Sequence, residues 1–263
     1  MLTFDKIERI EAEAGLDGFS TASEAVKQSL GLTSARIGGT VVLATKKDPS
    51  GRRNTASALG LDQPLDDDLI AELIAFFREA GVTQATLKVA VPALPDDAGR
   101  LRQAHGLTLG PATVKLLRPT DPTLQAETTL RVAEVDPGQY PDVVAIAVRH
   151  SQVAAEHASL MAGFLQRDDF HAFAAWDGAD LVAISVLRFP GEYADLINTL
   201  TLPSHRRRGA QTALVAARAA LARERGIPWL LVETALPPNS SHANLVRMGF
   251  QEAYVREQWI WRS

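Results

Sequence analysis

Two distant stretches of this chain spell out the same order of elements, and an internal repeat of that length constrains the fold more than any other feature. Residues 69–118 read LIAELIAFFREAG, VTQATLKVAVP, a polar segment ending in HGL, and ATVKLLR. Residues 212–262 read TALVAARAALARERG, IPWLLVETALP, a polar segment ending in MGF, and AYVREQWIWR. Gly81 matches Gly226 and Pro92 matches Pro237 at a spacing of 145, while Gly106 matches Gly249 at 143, so one small deletion aligns the copies. Each copy reads as a helix closed by Gly, a buried-type strand closed by Pro, a short helix closed by Gly and an apolar residue, and a final strand.

Upstream the echo is fainter but still present. In the second half TTLRVAEV predicts a strand, YPDVVAIAVRH and SLMAGFLQR helices, HAFAAWDG and ADLVAISVLRF a hairpin about Asp177-Gly178, and ADLINTLTLP a third strand. In the first half FDKIERIEAEAG and SEAVKQSLG predict helices, with RIGGTVVLAT and NTASALGL as strands around the turn Asp48-Pro49-Ser50-Gly51. The segment Pro119 to Ala126 has two prolines and no apolar periodicity, so it reads as a linker and places the domains at 1–124 and 125–263.

Composition agrees with two ordinary cores. The chain has 263 residues, 46% hydrophobic and 22% charged, which excludes disordered, collagen-like and coiled-coil classes. With 27 Lys and Arg against 31 Asp and Glu, the net charge of -4 argues against a nucleic-acid binder, so any anion site must be local. The absence of cysteine excludes a disulfide framework, a thiolate zinc site and a cysteine nucleophile, and fits a cytoplasmic protein. The start MLTFDKIERIEAEAG carries acids where a signal peptide needs a basic and then apolar run, and no apolar run approaches a membrane span, so neither export nor membrane insertion is expected.

The stretch TLPSHRRRGAQTALVAARAALARERG, residues 201–226, runs from an apolar strand through a basic Gly-containing turn straight into a helix. That is the layout of a phosphate cradle, because the first-turn N–H groups and the positive end of the helix dipole both favour an anion. Gly209 permits close backbone approach. Arginines at 206, 207, 208, 218, 223 and 225 against Glu224 alone give a local charge of +5. The matching stretch of the first half, residues 61–80, has acids at 62, 66, 67, 68, 72 and 79 against Arg78, or -5, so its helix start satisfies its own donors and has no reason to bind phosphate.

The run Pro203-Ser204-His205-Arg206-Arg207-Arg208-Gly209-Ala210-Gln211-Thr212 resembles the pyrophosphate-binding motif of GNAT-type N-acetyltransferases. Arg206 and Gly209 match the motif, whereas Gln211 stands where a small residue is usual and narrows the approach of the pyrophosphate. The tail SSHANLVRMGF, 240–250, is similar to that family's second cofactor helix, so the chain looks like a tandem GNAT protein with a degenerate first copy. The resemblance implies two α/β (α+β) domains, each a mixed, mostly antiparallel sheet flanked by helices. It also implies acetyl-CoA as co-substrate, bound where the strand ending at Leu202 splays from the strand 228–236. Leu200, Thr201 and Leu202 would face the pantetheine and thioester, and the N–H groups from Arg208 through Ala213 the pyrophosphate. Asn239, Ser241 and Asn244 would bond the pantetheine or phosphates, or else cap a helix.

The implied chemistry is direct attack of a neutral amine on the thioester, which needs a proton acceptor, a proton donor to the thiolate and no metal. Glu233, the sole charge in the strand PWLLVETAL, must be paired or useful; it is the first candidate base, or else a salt-bridged structural residue. Glu192 and Asp195, at the head of the preceding strand, are the others. The family's usual acid, a Tyr four residues before the closing Gly, is replaced by Leu245, leaving Tyr254, Tyr193 or a water. His150 and His157 share a helical face but have no third ligand in spacing, so no metal site is expected. The expected acceptor is a small-molecule amine, with a protein amine second, no nucleic-acid or membrane partner, and the oligomeric state open. An acetyl-CoA-binding regulator without turnover and a polyanion-binding scaffold are the rival readings.

Overall fold

The computed structural model describes Leu2–Asp48, Ser50–His150 and His157–Ser263; of the turn expected at 48–51, Pro49 lies outside the described residues. In chain order the elements of the first half are α1 (Phe4–Ser20), α2 (Glu24–Leu30), β1 (Leu32–Ile37), β2 (Thr40–Thr45), β3 (Thr55–Ser57), α3 (Asp67–Glu79), β4 (Gln84–Ala90), α4 (Ala98–Ala104), β5 (Thr108–Leu109) and β6 (Thr113–Pro119). Those of the second are β7 (Arg131–Glu134), α5 (Tyr140–His150), α6 (Ala158–Leu165), β8 (Phe170–Asp177), β9 (Asp180–Arg188), β10 (Tyr193–Thr201), α7 (Ala210–Glu224), β11 (Trp229–Ala235), α8 (Ser240–Arg247) and β12 (Gln251–Arg262). RIGGTVVLAT, read as one strand, is two, because Gly38 and Gly39 adopt positive φ and turn the chain between β1 and β2.

The chain divides into two compact units, Met1–Val114 with Ala253–Ser263, and Lys115–Glu252. This differs from the division expected near residue 125. Most of β6 enters the second unit, most of β12 enters the first, and the proline-containing segment after β6 lies inside the second unit. Arg118 holds that segment: its Nη1 donates to Pro119 O at 2.7 Å, Nη2 to Pro122 O at 2.5 Å and Nε to Met248 O at 2.9 Å. An alternating apolar strand specifies that it has a buried face, not which sheet receives it.

In the first unit β1, β2 and β3 are antiparallel neighbours, β3 and β4 are parallel, and β12 runs antiparallel to both β4 and β5. Leu69, Ile70, Leu73, Ile74 and Phe77 recur at helical spacing along α3 and meet Leu87, Val89, Trp259 and Trp261 in one core, with Phe77 stacked on Trp261 at 6.2 Å. Trp259 and Trp261 therefore pack rather than stack a ligand.

In the second unit β7, β8, β9 and β10 form an antiparallel run, and β10 pairs in parallel with β11, which neighbours β6. Val143, Val144 and Ala147 of α5 and Met161 and Leu165 of α6 bury against Ala172, Ala174, Ile184 and Val186. The β10–β11 pairing runs from Tyr193↔Trp229 to Asp195↔Leu231 and stops there, although β10 goes on to Thr201 and β11 to Ala235. The pairing of β10 with β9 also shifts register between Ile197 and Leu200 of β10, and Asn198 sits at φ 52° in this bulge. Among the described residues no helix is long and apolar enough to cross a membrane.

Candidate functional site

Beyond the bulge, β10 leads through Pro203–His205 into Gly209, which caps α7 at φ 79° and contributes no side chain to its N–H groups. An L-residue pays for that backbone conformation, which is the first reason a glycine stands there. The second reason differs from the one the sequence suggested. A Cβ at Gly209 would lie 2.3 Å from Glu127 O and 3.3 Å from Thr128 Cβ, so the glycine admits the chain's own backbone behind the turn. Thr128 completes the buttress by donating from Oγ1 to Arg208 O at 2.7 Å.

The uncapped start of α7 opens into a cleft of about 690 Å³ lined by Thr199, Leu200, Thr201, His205, Arg206, Arg207, Gly209, Ala210, Gln211, Thr212, Ser240, Ser241, Asn244 and Arg247. Most of the residues expected at a cofactor site are thus gathered in one place. Thr199, His205, Ser240 and Arg247 join them without having been expected; Arg247 is basic and exposed one face along α8, a signal the tail sequence did carry. Leu202, Arg208, Ala213 and Asn239 are not among the lining residues.

The basic cluster is smaller than its formal charge. Arg208 Nη1 and Nη2 grip Asp177 at 2.5 and 3.2 Å, so it ties the β8–β9 turn to the cradle; hydrogen bonding to Arg208 holds the Asp177 carboxyl below its usual range. Arg218 is buried within α7, and desolvation pushes its pKa down to about 9 despite the opposing field of Asp195. Arg225 lies over the Phe189 ring at 4.6 Å at the far end of the helix. Arg206, Arg207 and Arg247 remain as the guanidinium groups lining the cleft.

Gln211 does not simply obstruct the cradle. Its Nε2 donates to Ser241 Oγ at 3.0 Å and its Oε1 accepts from Asn244 Nδ2 at 2.7 Å, joining the start of α7 to α8 across the cleft wall. Asn239 serves as a helix cap, accepting from Ser241 N at 2.7 Å and His242 N at 3.3 Å.

The catalytic candidates separate. Glu233 is paired: its Oε2 lies 2.7 Å from Nζ of the buried Lys115 on β6, with 28% of the Glu233 side chain exposed. Lys115 and Gln258 are 143 apart, as the aligned repeats require, and the first unit sets Gln258 opposite Lys88 where the second sets Lys115 against Glu233. Asp195 is buried and faces the charge of Arg218, and Glu192 is exposed just ahead of β10; neither lines the cleft. Tyr193 and Leu245 are buried core residues. Tyr254 corrects the sequence expectation most clearly, because it belongs to the first unit, where its buried phenol donates to Glu8 Oε1 at 2.6 Å and is raised above its ordinary pKa by that burial. Arg256 donates to the same carboxylate through Nε at 3.0 Å and Nη2 at 2.6 Å.

The first unit closes the corresponding helix start. Asp66 caps α3 by accepting from Leu69 N at 2.9 Å, and Asp67 pairs with Nη2 of Arg100 on α4 at 2.8 Å and with Nε2 of His105, just past the end of α4, at 3.0 Å. Where α7 has no side-chain cap, α3 is capped by the Asp66 carboxylate and carries acids through its first turn.

Comparison with known proteins agrees with this fold. Residues 140–250 match the acetyltransferase (GNAT) family model. No curated protein matches the sequence. Among solved structures, a GCN5-related N-acetyltransferase from Kribbella flavida superposes with a TM-score of 0.69 at 18% identity, over 98% of this chain and 96% of that one. A tandem GNAT protein from the clavulanic acid biosynthesis pathway gives 0.60 at 18% identity, over 99% and 97%. A conserved protein of unknown function from Staphylococcus epidermidis gives 0.65 at 8% identity, over 89% and 95%. Residues 140–250 carry a GNAT-family acetyltransferase domain, and the chain as a whole has the fold of the tandem GNAT proteins.

Proposed function

We propose that the second unit binds acetyl-CoA and transfers its acetyl group to an amine by direct attack on the thioester, with the first unit as a degenerate copy that binds none. The observation that carries this reading is the helix start at Ala210, uncapped by any side chain and opening into a cleft whose guanidinium groups are Arg206, Arg207 and Arg247. The N–H groups of Ala210, Gln211 and Thr212 and those three arginines would hold the pyrophosphate. The edge of β10 at Thr199 to Thr201, released from β11 after Asp195, would meet the pantetheine arm through its backbone.

The acceptor that fits best is a small-molecule amine, which must lose one proton as it attacks. Glu233 is the first strand carboxylate for that role by sequence, but its Oε2 is already engaged by Lys115 Nζ at 2.7 Å. Its proposed part is therefore to hold the incoming ammonium or amine, with water carrying the proton. The engagement of Arg208, Arg218 and Arg225 within the fold weighs against a diffuse polyanion surface.

The test is thiol release from acetyl-CoA with a panel of amines, alongside calorimetric binding. Saturable binding with amine-dependent thiol release supports the reading. Binding without release under any amine replaces transfer with a sensing role, and no binding discards the site.

A further inference from the structure

Arg218 is buried beneath the bulge of β10, and each of its nitrogens has an acceptor. Nε donates to Leu214 O at 3.1 Å, one turn back along α7. Nη1 donates to Val186 O at 3.0 Å, and Val186 is the β9 residue paired with Ile197, where the ladder breaks. Nη2 donates to Thr199 Oγ1 at 3.2 Å, inside the bulge and on the cleft wall. One planar fork thus spans helix, β9 and β10 at the point where regular strand pairing fails, a bridge that an ammonium cannot make at once. Asp195, buried on the same strand, is the opposing charge.

The repeat supplies an internal control. Leu73 stands 145 residues before Arg218, and Thr86 145 before Leu231. Leu231 pairs in parallel with Asp195 and Thr86 with Thr55, so Asp195 corresponds to Thr55. The copy with the carboxylate-filled helix start therefore holds Leu and Thr where the copy with the open cleft holds Arg and Asp. Its strand β3 spans only Thr55–Ser57.

We propose that Arg218, balanced by Asp195, is a positioning residue that holds the β10 bulge open and so sets the strand edge offered to the acyl-CoA arm. The proposal rests on the acetyl-CoA reading above and explains why a buried guanidinium is kept in the middle of α7, where its neighbours on the buried face are Ala213, Leu214, Val215, Ala219 and Ala222.

The test transplants the first unit's pair, Asp195→Thr with Arg218→Leu, into the full chain. Removing both charges together avoids stranding either, so the melting temperature should hold or rise. Amide exchange at residues 197–201 of the ligand-free protein should accelerate at least tenfold, acetyl-CoA should bind at least tenfold more weakly, and the KM for acetyl-CoA should rise more than kcat falls. Arg218→Lys keeps the charge opposite Asp195 but not the fork; exchange at 197–201 should rise and affinity fall about threefold to tenfold, giving a second foldable variant. Wild-type exchange and affinity in either variant would overturn the proposal. A wild-type chain that binds no acetyl-CoA would instead defeat the functional reading, and the exchange measurement would still decide the role of Arg218.

Discussion

Replacing Gly209 by Ala separates two costs that a single glycine hides, provided Gly226 is replaced in parallel. Gly226 sits at φ 69° with nothing within 4 Å of a built Cβ, whereas Gly209 at φ 79° would place its Cβ 2.3 Å from Glu127 O. Left-handed backbone costs an L-residue about 1–2 kcal/mol. Reduced freedom of the unfolded chain offsets about 0.4–1 kcal/mol of that. Gly226→Ala should therefore destabilise by about 1 kcal/mol, or about 2–4 °C for a chain of this size. Gly209→Ala carries the same strain and a backbone overlap; ordinary contact begins at 3.4 Å, so the turn or residues 127–128 must move by about 1 Å. Overpacking of that kind adds about 1–3 kcal/mol. Because Gly209 leads directly into the proposed pyrophosphate donors Ala210, Gln211 and Thr212, a shift of the turn misplaces them, and acetyl-CoA affinity should fall at least tenfold, about 1.4 kcal/mol, in Gly209→Ala and be unchanged in Gly226→Ala. Thermal melts and calorimetry on both variants read the two effects. Equal melting shifts with equal affinities would refute the close-approach reasoning.

Calorimetry on the wild type should find one acetyl-CoA per chain, weakening as salt rises, because Asp66 already caps the α3 start and Asp67 and Asp68 add negative charge to its first turn; two equivalent sites would contradict this. Glu233→Gln should lower the melting temperature because it strips a partner from the buried Lys115, and the loss should shrink in a Lys115→Met background; an undiminished loss would mean the pair is not coupled. Asp177 titrates below its ordinary value in the fold through its bond with Arg208, so its contribution is present at neutral pH and fades as pH falls below about 4 toward the depressed value. The difference in melting temperature between wild type and Asp177→Asn should accordingly narrow between about pH 5 and pH 2, and a constant difference would count against the pairing.

What the sequence determined alone is what is written locally along the chain. The glycine-closed helices, the hairpin at Asp177-Gly178 and the charge of each helix start depend on residues within a few positions of one another, and the repeat is the recurrence of such local patterns about 145 residues on. The strand-to-Gly209-to-helix layout located the cleft for the same reason, since a helix start exposes its N–H groups whatever surrounds it. Tertiary structure decided everything that depends on a distant partner. The AYVREQWIWR strand carries the same alternation in either sheet, and only packing against Phe77 assigns Trp259 and Trp261 to the first unit. Six arginines looked equivalent because α7 is rich in Ala and shows no strong polar face, yet burial took Arg218 and Asp177 took Arg208. Tyr254 and Glu233 found Glu8 and Lys115 far along the chain. A charge or a hydroxyl is legible as a residue, but its role follows from the solvent and partners left to it once the chain has closed, and those are fixed by contacts that no local pattern encodes.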